Sequence, residues 1–424
     1  MKRILLLLIV LATGIIAPAQ EAGEFSRLMQ LSREDQFFRL ERELKHSASL
    51  SDAHKLYFEA ITASVFNRPG ESNTAIRRLL EMHTASLTDS MALTVYECLI
   101  TNNVRIFDYR SAQAATDSAV GIGRKVYDSN SVDDILNSGL IWKAARDLPA
   151  QTFSSSGETE IPVTKDMAGL SNIAVKINGN KEDVIFDTGA NFSTVRESVA
   201  KEQGLKFLDG TVKVGNATGG KVNSRLAYAT SLEIGNMKFG NVLFLVLPDE
   251  ALSFGGVVYV IDAIIGLPVI MQMGEIHLSA DELFVPSKPG SSFSSNLALD
   301  GYTPVVEVIV NSDTLVFSFD TGADKTMLYH RYFDLHRKSI ESEYETEEIR
   351  FGGAGSEKRV QGYKLDDLKF SVAGSSTVLN DVSLLTENVK DDEELSYGNL
   401  GNDYFNNFRT MIIDFRNMSL RFEK

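Results

Sequence analysis

The chain is short of the residues that several chemistries need. It has one cysteine, Cys98, in 424 residues, so no disulfide forms within it and the fold rests on core packing. Basic residues number 42 against 57 acidic ones, a formal charge of −15, and no Lys/Arg cluster stands anywhere. That balance excludes nucleic acid as a partner, because a phosphate backbone has to be neutralised by clustered cations. There is no His-Glu-x-x-His, no Gly-x-Ser-x-Gly elbow, and no phosphate loop, since the glycine-rich stretch 352–358 lacks the Gly-Lys-Ser/Thr ending. His330 and His336 flank an aromatic stretch without a metal-site arrangement of carboxylates and read as surface or packing residues. Cys98 sits in an apolar helical context and reads as core. The acidic run 391–394 reads as a solvated loop. No metal or cofactor is called for.

What is present suffices for two or three domains, each able to bury its own core. Met1-Lys2-Arg3, the apolar run 4–16 and Ala17-Pro18-Ala19 form a charged start, a greasy core and a small-residue end. This predicts an export signal over 1–19 rather than a membrane span, for which the run is too short. An exported protein without disulfides suits a bacterial periplasm, cell surface or secreted setting. Residues 20–150 follow the helical period. Phe37, Phe38, Leu40 and Leu44 share one face, with Arg39, Glu41, Arg42, Glu43 and Lys45 turned outward. Asn67-Arg68-Pro69-Gly70 is a strong break between helices. Small residues at Ala60, Ala63, Ala92 and Ala115 make these helix pairs resemble tetratricopeptide-like hairpins, without that repeat's full signature. Such a domain is either a structural cap or a dock for a protein partner. Residues 151–160 read as a linker.

Beyond residue 160 alternation replaces the helical period, which predicts an all-β region in two lobes, 161–285 and 301–424, joined by a Pro, Gly and Ser-rich connector over 286–300. Each lobe carries an apolar run ending in one acid: Val184-Ile185-Phe186-Asp187-Thr188-Gly189-Ala190, and Phe317-Ser318-Phe319-Asp320-Thr321-Gly322-Ala323. A hairpin turn at Asn178 and at Asn311 precedes each acid by the same interval. Downstream, each lobe has a glycine-rich hairpin tip, with Gly215 and Gly219 in the first and Gly352 and Gly353 in the second, suited to a pliable flap. Each then has an apolar-Gly segment, Ile264-Ile265-Gly266 and Asn399-Leu400-Gly401. Two matched acids point to a shared carboxyl pair, with one acid from each copy of a duplicated lobe.

These features together resemble the retropepsin-like aspartic proteases. Asp320-Thr321-Gly322-Ala323-Asp324-Lys325-Thr326-Met327-Leu328 is similar to the retroviral D-T-G-A-D-x-T-x-L signature, and Asp187-Thr188-Gly189-Ala190 matches its first four positions. The resemblance covers 160–424 and not the helical region. It implies a water-activating dyad of Asp187 and Asp320, hydroxyl cross-links between the active loops through Thr188 and Thr321, and carboxylate contacts from the Gly189 and Gly322 amides. It also implies substrate-backbone contacts from Asp324 and from Asn191, which departs from the family's Asp, so the cleft is expected to be asymmetric. Ala190 and Ala323 stand where pepsin-like enzymes carry a hydroxyl. Without that hydrogen bond to the ionised acid, the pair is expected to titrate above a pepsin dyad. The implied activity is peptide-bond hydrolysis in an extended peptide or protein substrate. Both lobes lie in one chain, so a monomer is expected, with a dimer as the other possibility. A second reading, a catalytically silent protease fold that binds a partner, is disfavoured by two intact Asp-Thr-Gly triplets.

Overall fold

The computed structural model describes residues 20–215, 220–254, 258–288, 290, 294–353, 356–388 and 395–424. The expected export signal, Gly219 and the acidic run 391–394 lie outside them.

The helical region holds α1 (20–33), α2 (Phe37–Lys45), α3 (Asp52–Val65), α4 (Pro69–Met82), α5 (Asp89–Arg105), α6 (Tyr109–Val126) and α7 (Ser129–Ala145). Helix starts follow local chemistry. Ser51, Thr88, Asp108 and Asp128 each accept a hydrogen bond from a backbone amide in the first turn, and Pro69 opens α4. The α1/α2, α3/α4 and α5/α6 hairpins all turn on a residue with left-handed backbone, Asp35, Asn67 and Phe107, at φ 52°, 54° and 62°. Ser64, Ser72, Asn73, Asn102 and Asn103 form a hydrogen-bonded network between α3, α4 and α5, which satisfies polar groups that burial would otherwise penalise. α1 and α7 were not singled out by the spacing of apolar residues alone. No helix among the described residues is long and apolar enough to cross a membrane.

The β region holds two lobes, so the expected class of a helical hairpin domain followed by an all-β bilobal region describes the molecule. Among the described residues its strands form a fifteen-stranded sheet, a ten-stranded sheet and a two-stranded ribbon. The lobes share the fifteen-stranded sheet, where neither sequence lobe pointed: Glu275–Leu278 of lobe 1 runs antiparallel to Thr410–Asp414 of lobe 2, with Glu275 opposite Asp414 and Leu278 opposite Met411. Glu275 is buried there and its carboxylate is held below the usual range against the effect of burial. It accepts from His277 at 2.7 Å and from the Gly290 amide at 2.5 Å, with Arg421 at 3.6 Å.

Two expected connectors are corrected. Thr152–Ser155 is a strand paired with Met237–Gly240, and Thr159–Lys165 pairs with Glu282–Val285, so 151–160 is stitched into lobe 1 rather than free. Phe153 at 5.0 Å from Phe239 supplies the apolar contact that a polar Ser run concealed. Likewise Leu297–Asp300, inside the expected connector, pairs with Thr303–Val310, and Leu297, Ala298 and Leu299 are buried.

Candidate active site

Each acid is delivered by a hairpin whose second strand crosses the apolar-Gly segment. In lobe 1, Asn180–Phe186 lies parallel to Ala263–Ile265, with Phe186 opposite Ile265. In lobe 2, Asp313–Phe319 lies parallel to Gly398–Leu400, with Phe319 opposite Leu400. The next strand of each lobe, Ser193–Arg196 or Met327–Leu328, pairs antiparallel with the same segment. The acid thus lies in a loop between two strands that are both held. The Asp187 amide donates to Ile265 O at 3.1 Å and the Asp320 amide to Leu400 O at 3.2 Å. Asn178 and Asn311, at φ 49° and 55°, shape the hairpins. The side chain of Asn178 accepts from the Thr230 amide and that of Asn311 from the Lys369 amide.

The two loops face each other and interlock. The Thr321 amide donates to Thr188 Oγ1 at 3.0 Å, and that hydroxyl donates on to Phe319 O at 3.2 Å. The Thr188 amide donates to Thr321 Oγ1, which donates to Phe186 O, both at 3.0 Å. Both threonines are fully buried. The Gly189 amide donates to Asp187 Oδ1 at 2.8 Å and the Gly322 amide to Asp320 Oδ1 at 2.7 Å. Ser193 and Thr326 act alike in their lobes, accepting from the Gly266 amide at 3.2 Å and the Gly401 amide at 3.1 Å. Sequence reading quoted Thr326 only as a signature position, passed over Ser193, and gave neither a role. Their spacing, six residues after each acid, is the signal that marks them.

Asp187 and Asp320 come together where the two loops interlock, each half-buried. Burial first, then the charge of Asp320 and a hydrogen bond with it, push the Asp187 carboxyl well above the ordinary carboxylate range. The Gly189 and Ala190 amides oppose that shift. Ala190 and Ala323 flank the acids half-buried, and their carbonyls accept from the Leu267 and Asn402 amides at 2.9 Å.

Asn191 and Asp324 are both exposed. A Cβ placed on Gly169 would lie 3.3 Å from Asp324 Oδ1, so this carboxylate reaches across to the turn 166–170 of lobe 1. Gly215 ends the strand Lys206–Gly215, and Gly352 and Gly353 sit opposite Glu357 and Ser356 in the hairpin of Glu347–Gly353 with Ser356–Leu365. Cys98 packs against the core, and burial pushes its thiol up to about 12, far from the thiolate a nucleophile needs.

Residues 173–269 match the profile of the aspartyl protease family. No curated protein sequence matches the chain. The profile takes in Asp187, Gly215 and Gly266 but stops short of Asp320 and leaves out the helical region. Lobe 1 is therefore similar to the domain of a class of peptidases that hydrolyse amide bonds in peptides and proteins.

Proposed function

We propose that the protein is an exported, single-chain, retropepsin-like aspartic endopeptidase that holds an extended peptide between its two flaps and the Asp187/Asp320 pair. The observation that carries this reading is the reciprocal seat of the two acids: Asp320 lies where a side chain on Gly189 would be and Asp187 where one on Gly322 would be, with the Asp187 carboxyl raised by burial and then by Asp320. With the proton on Asp187, Asp320 takes a proton from a bridging water as the water oxygen bonds to the scissile carbonyl carbon. Asp187 gives its own proton to the carbonyl oxygen. The resulting diol collapses as the C–N bond breaks: the amine nitrogen takes the proton now on Asp320, Asp187 takes one from a diol hydroxyl as the carbonyl re-forms, the dyad returns to its single proton, and no covalent enzyme intermediate forms. The two lobes are read as copies of one unit. The exposed Asn191 and Asp324 and the glycines of the flap hairpins are assigned to substrate-backbone binding, with lobe 2 making the stronger contact through its carboxylate.

The test is cleavage of a diverse peptide library by purified residues 20–424 between about pH 4 and 7, with and without pepstatin, beside Asp320→Asn. Turnover that the substitution abolishes supports the reading. Turnover equal in both proteins, or absent from both at every pH, overturns it in favour of a binding protein built on a protease fold. Gel filtration of the active species distinguishes a monomer from a dimer.

A further inference from the structure

α7 runs along the flap of lobe 1, not beside it at a distance. The flap strand Lys206–Gly215 is the last strand of its sheet, and such an edge leaves backbone donors and acceptors open. The side chain of Asn137 fills that role for one residue: Asn137 Nδ2 donates to Lys213 O at 2.6 Å, and the Lys213 amide donates to Asn137 Oδ1 at 2.9 Å. One turn earlier on the same helix face, Asp134 pairs with Lys221 of the returning flap strand. One turn later, Ile141 and Trp142 enter an apolar cluster with Val212 and Leu226 of the flap, Leu243 and Leu245 behind it, and Phe192 of the active loop. Trp142 is 2% exposed, with its ring 5.9 Å from Phe192. A single helix face thus forms a seam from near the flap tip to the residue beside Asn191.

The flap of lobe 2 is built differently. Its outer strand Glu347–Gly353 is also a sheet edge. It packs on its own hairpin partner and on Val382–Leu385, and its Ile349 joins a small cluster with Tyr329 and Leu385. No helix packing as extensive as that of α7 occurs on it among the described residues.

We propose that Asn137 is a positioning residue of the active site: it fixes the lobe 1 flap as a standing wall, so that substrate enters by movement of the lobe 2 flap alone. The proposal rests on the peptidase reading for its catalytic consequence, but the mechanical asymmetry stands apart from it. A wall already ordered takes no ordering cost when substrate binds, whereas a loosened one must be ordered by the substrate itself. The helical region is on this account part of the substrate-binding machinery.

Amide hydrogen exchange on the whole chain reads the asymmetry without any assay of activity. In the wild type, amides of the strand Lys206–Gly215 are expected to exchange at least about tenfold more slowly than those of Glu347–Gly353, and Asn137→Ala is expected to speed the Lys213 amide by about tenfold. Equal exchange of the two flap strands in the wild type overturns the proposal, as does a Lys213 amide indifferent to the substitution. If the wild type cleaves peptides, Asn137→Ala is expected to raise KM about fivefold with kcat held within about twofold. An unchanged KM overturns the positioning role. A wild type with no turnover counts against the peptidase reading only, because the exchange comparison still decides the asymmetry.

Discussion

Gly189 carries Asp320 where a side chain would be: a Cβ on Gly189 falls 2.5 Å from Asp320 Cγ, and one on Gly322 falls 2.5 Å from Asp187 Oδ1. Each acid therefore rests on the opposite loop, and the distance between the acids is set by the absence of two methyl groups. Gly189→Ala or Gly322→Ala is expected to push one carboxyl off its seat. Peptide-library turnover is expected to fall by about 100-fold or more, since a misplacement near 1 Å already removes most of an oriented group's effect. Far-UV circular dichroism is expected to remain native, because the nearest atoms to each added Cβ all belong to the opposite acid's side chain. Retention of wild-type turnover in either variant would show that the glycines do not set the dyad.

The threonine interlock makes a prediction with a built-in control. In Thr188→Val the shape is nearly kept, but the Thr321 amide and Phe319 O lose their partner in a fully buried place. The expected cost is about 2–4 kcal/mol in urea unfolding. Thr188→Ser keeps the hydroxyl and is expected to cost about 1 kcal/mol or less. Equal losses in the two variants would assign the effect to the missing methyl instead.

The dyad also predicts that the protein sacrifices stability at its own site. Asp187 keeps its proton well above the ordinary 3.8 because burial and Asp320 disfavour its charge. A folded state that retains a proton which the unfolded chain releases loses stability as pH rises from that ordinary value towards the raised one. Asp187→Asn removes the titration. The variant is expected to melt with the wild type near pH 4 and to be more stable by about 1 kcal/mol or more at pH 7. Parallel Tm profiles against pH would contradict the assignment.

The parts of this architecture that were readable from sequence are those written in neighbouring residues. The Asp-Thr-Gly-Ala loops, the Asn turns nine residues before each acid, and the alternation of Val305 to Val310 all act within one hairpin, where side-chain period and turn chemistry dominate. What was hidden depends on partners distant in the chain. Thr152–Ser155 is polar and short, and becomes a strand only because Met237–Gly240 offers it an edge. Asn137 and Trp142 look like ordinary helix residues until Lys213 and Phe192 are beside them. Local propensity carries no information on such choices, which tertiary packing makes.

A second acidic site joins the helical region to lobe 2. Asp35, at the left-handed turn between α1 and α2, is pushed up to about 8 by burial and by the charge of Asp300, against the pull of Arg331. The sign is that of Asp187: the contact is strongest when Asp35 is protonated and weakens as pH rises between 3.8 and about 8. Asn tolerates the same backbone. Asp35→Asn is expected to gain nothing near pH 4 and about 2 kcal/mol at pH 8, once solvent screening of the half-buried pair is allowed for. Tm measured across that range checks it, and a gain as large at pH 4 as at pH 8 would reject ionisation as the cause.

At Asn402 the two lobes differ in how their active loops are held. It follows Gly401 as Leu267 follows Gly266, and both backbone amides donate to the matching alanine carbonyl at 2.9 Å. Their side chains part company. Leu267 packs in the core, whereas the buried Asn402 donates from Nδ2 to Thr321 O at 3.0 Å and to Ala323 O at 2.9 Å, tying the loop around Asp320 to the short helix Asn402–Phe405. Asn402→Leu converts lobe 2 to the lobe 1 arrangement. It removes two donors while Ala323 O keeps the Asn402 amide, so the expected loss is about 2 kcal/mol, falling on the Thr321 carbonyl. Because the loop around Asp320 loses a tether and that around Asp187 does not, kcat is expected to fall more than KM rises. Unfolding and steady-state kinetics on the same variant separate these effects. A variant as stable and as active as the wild type would mean that the threonine interlock alone holds the lobe 2 loop.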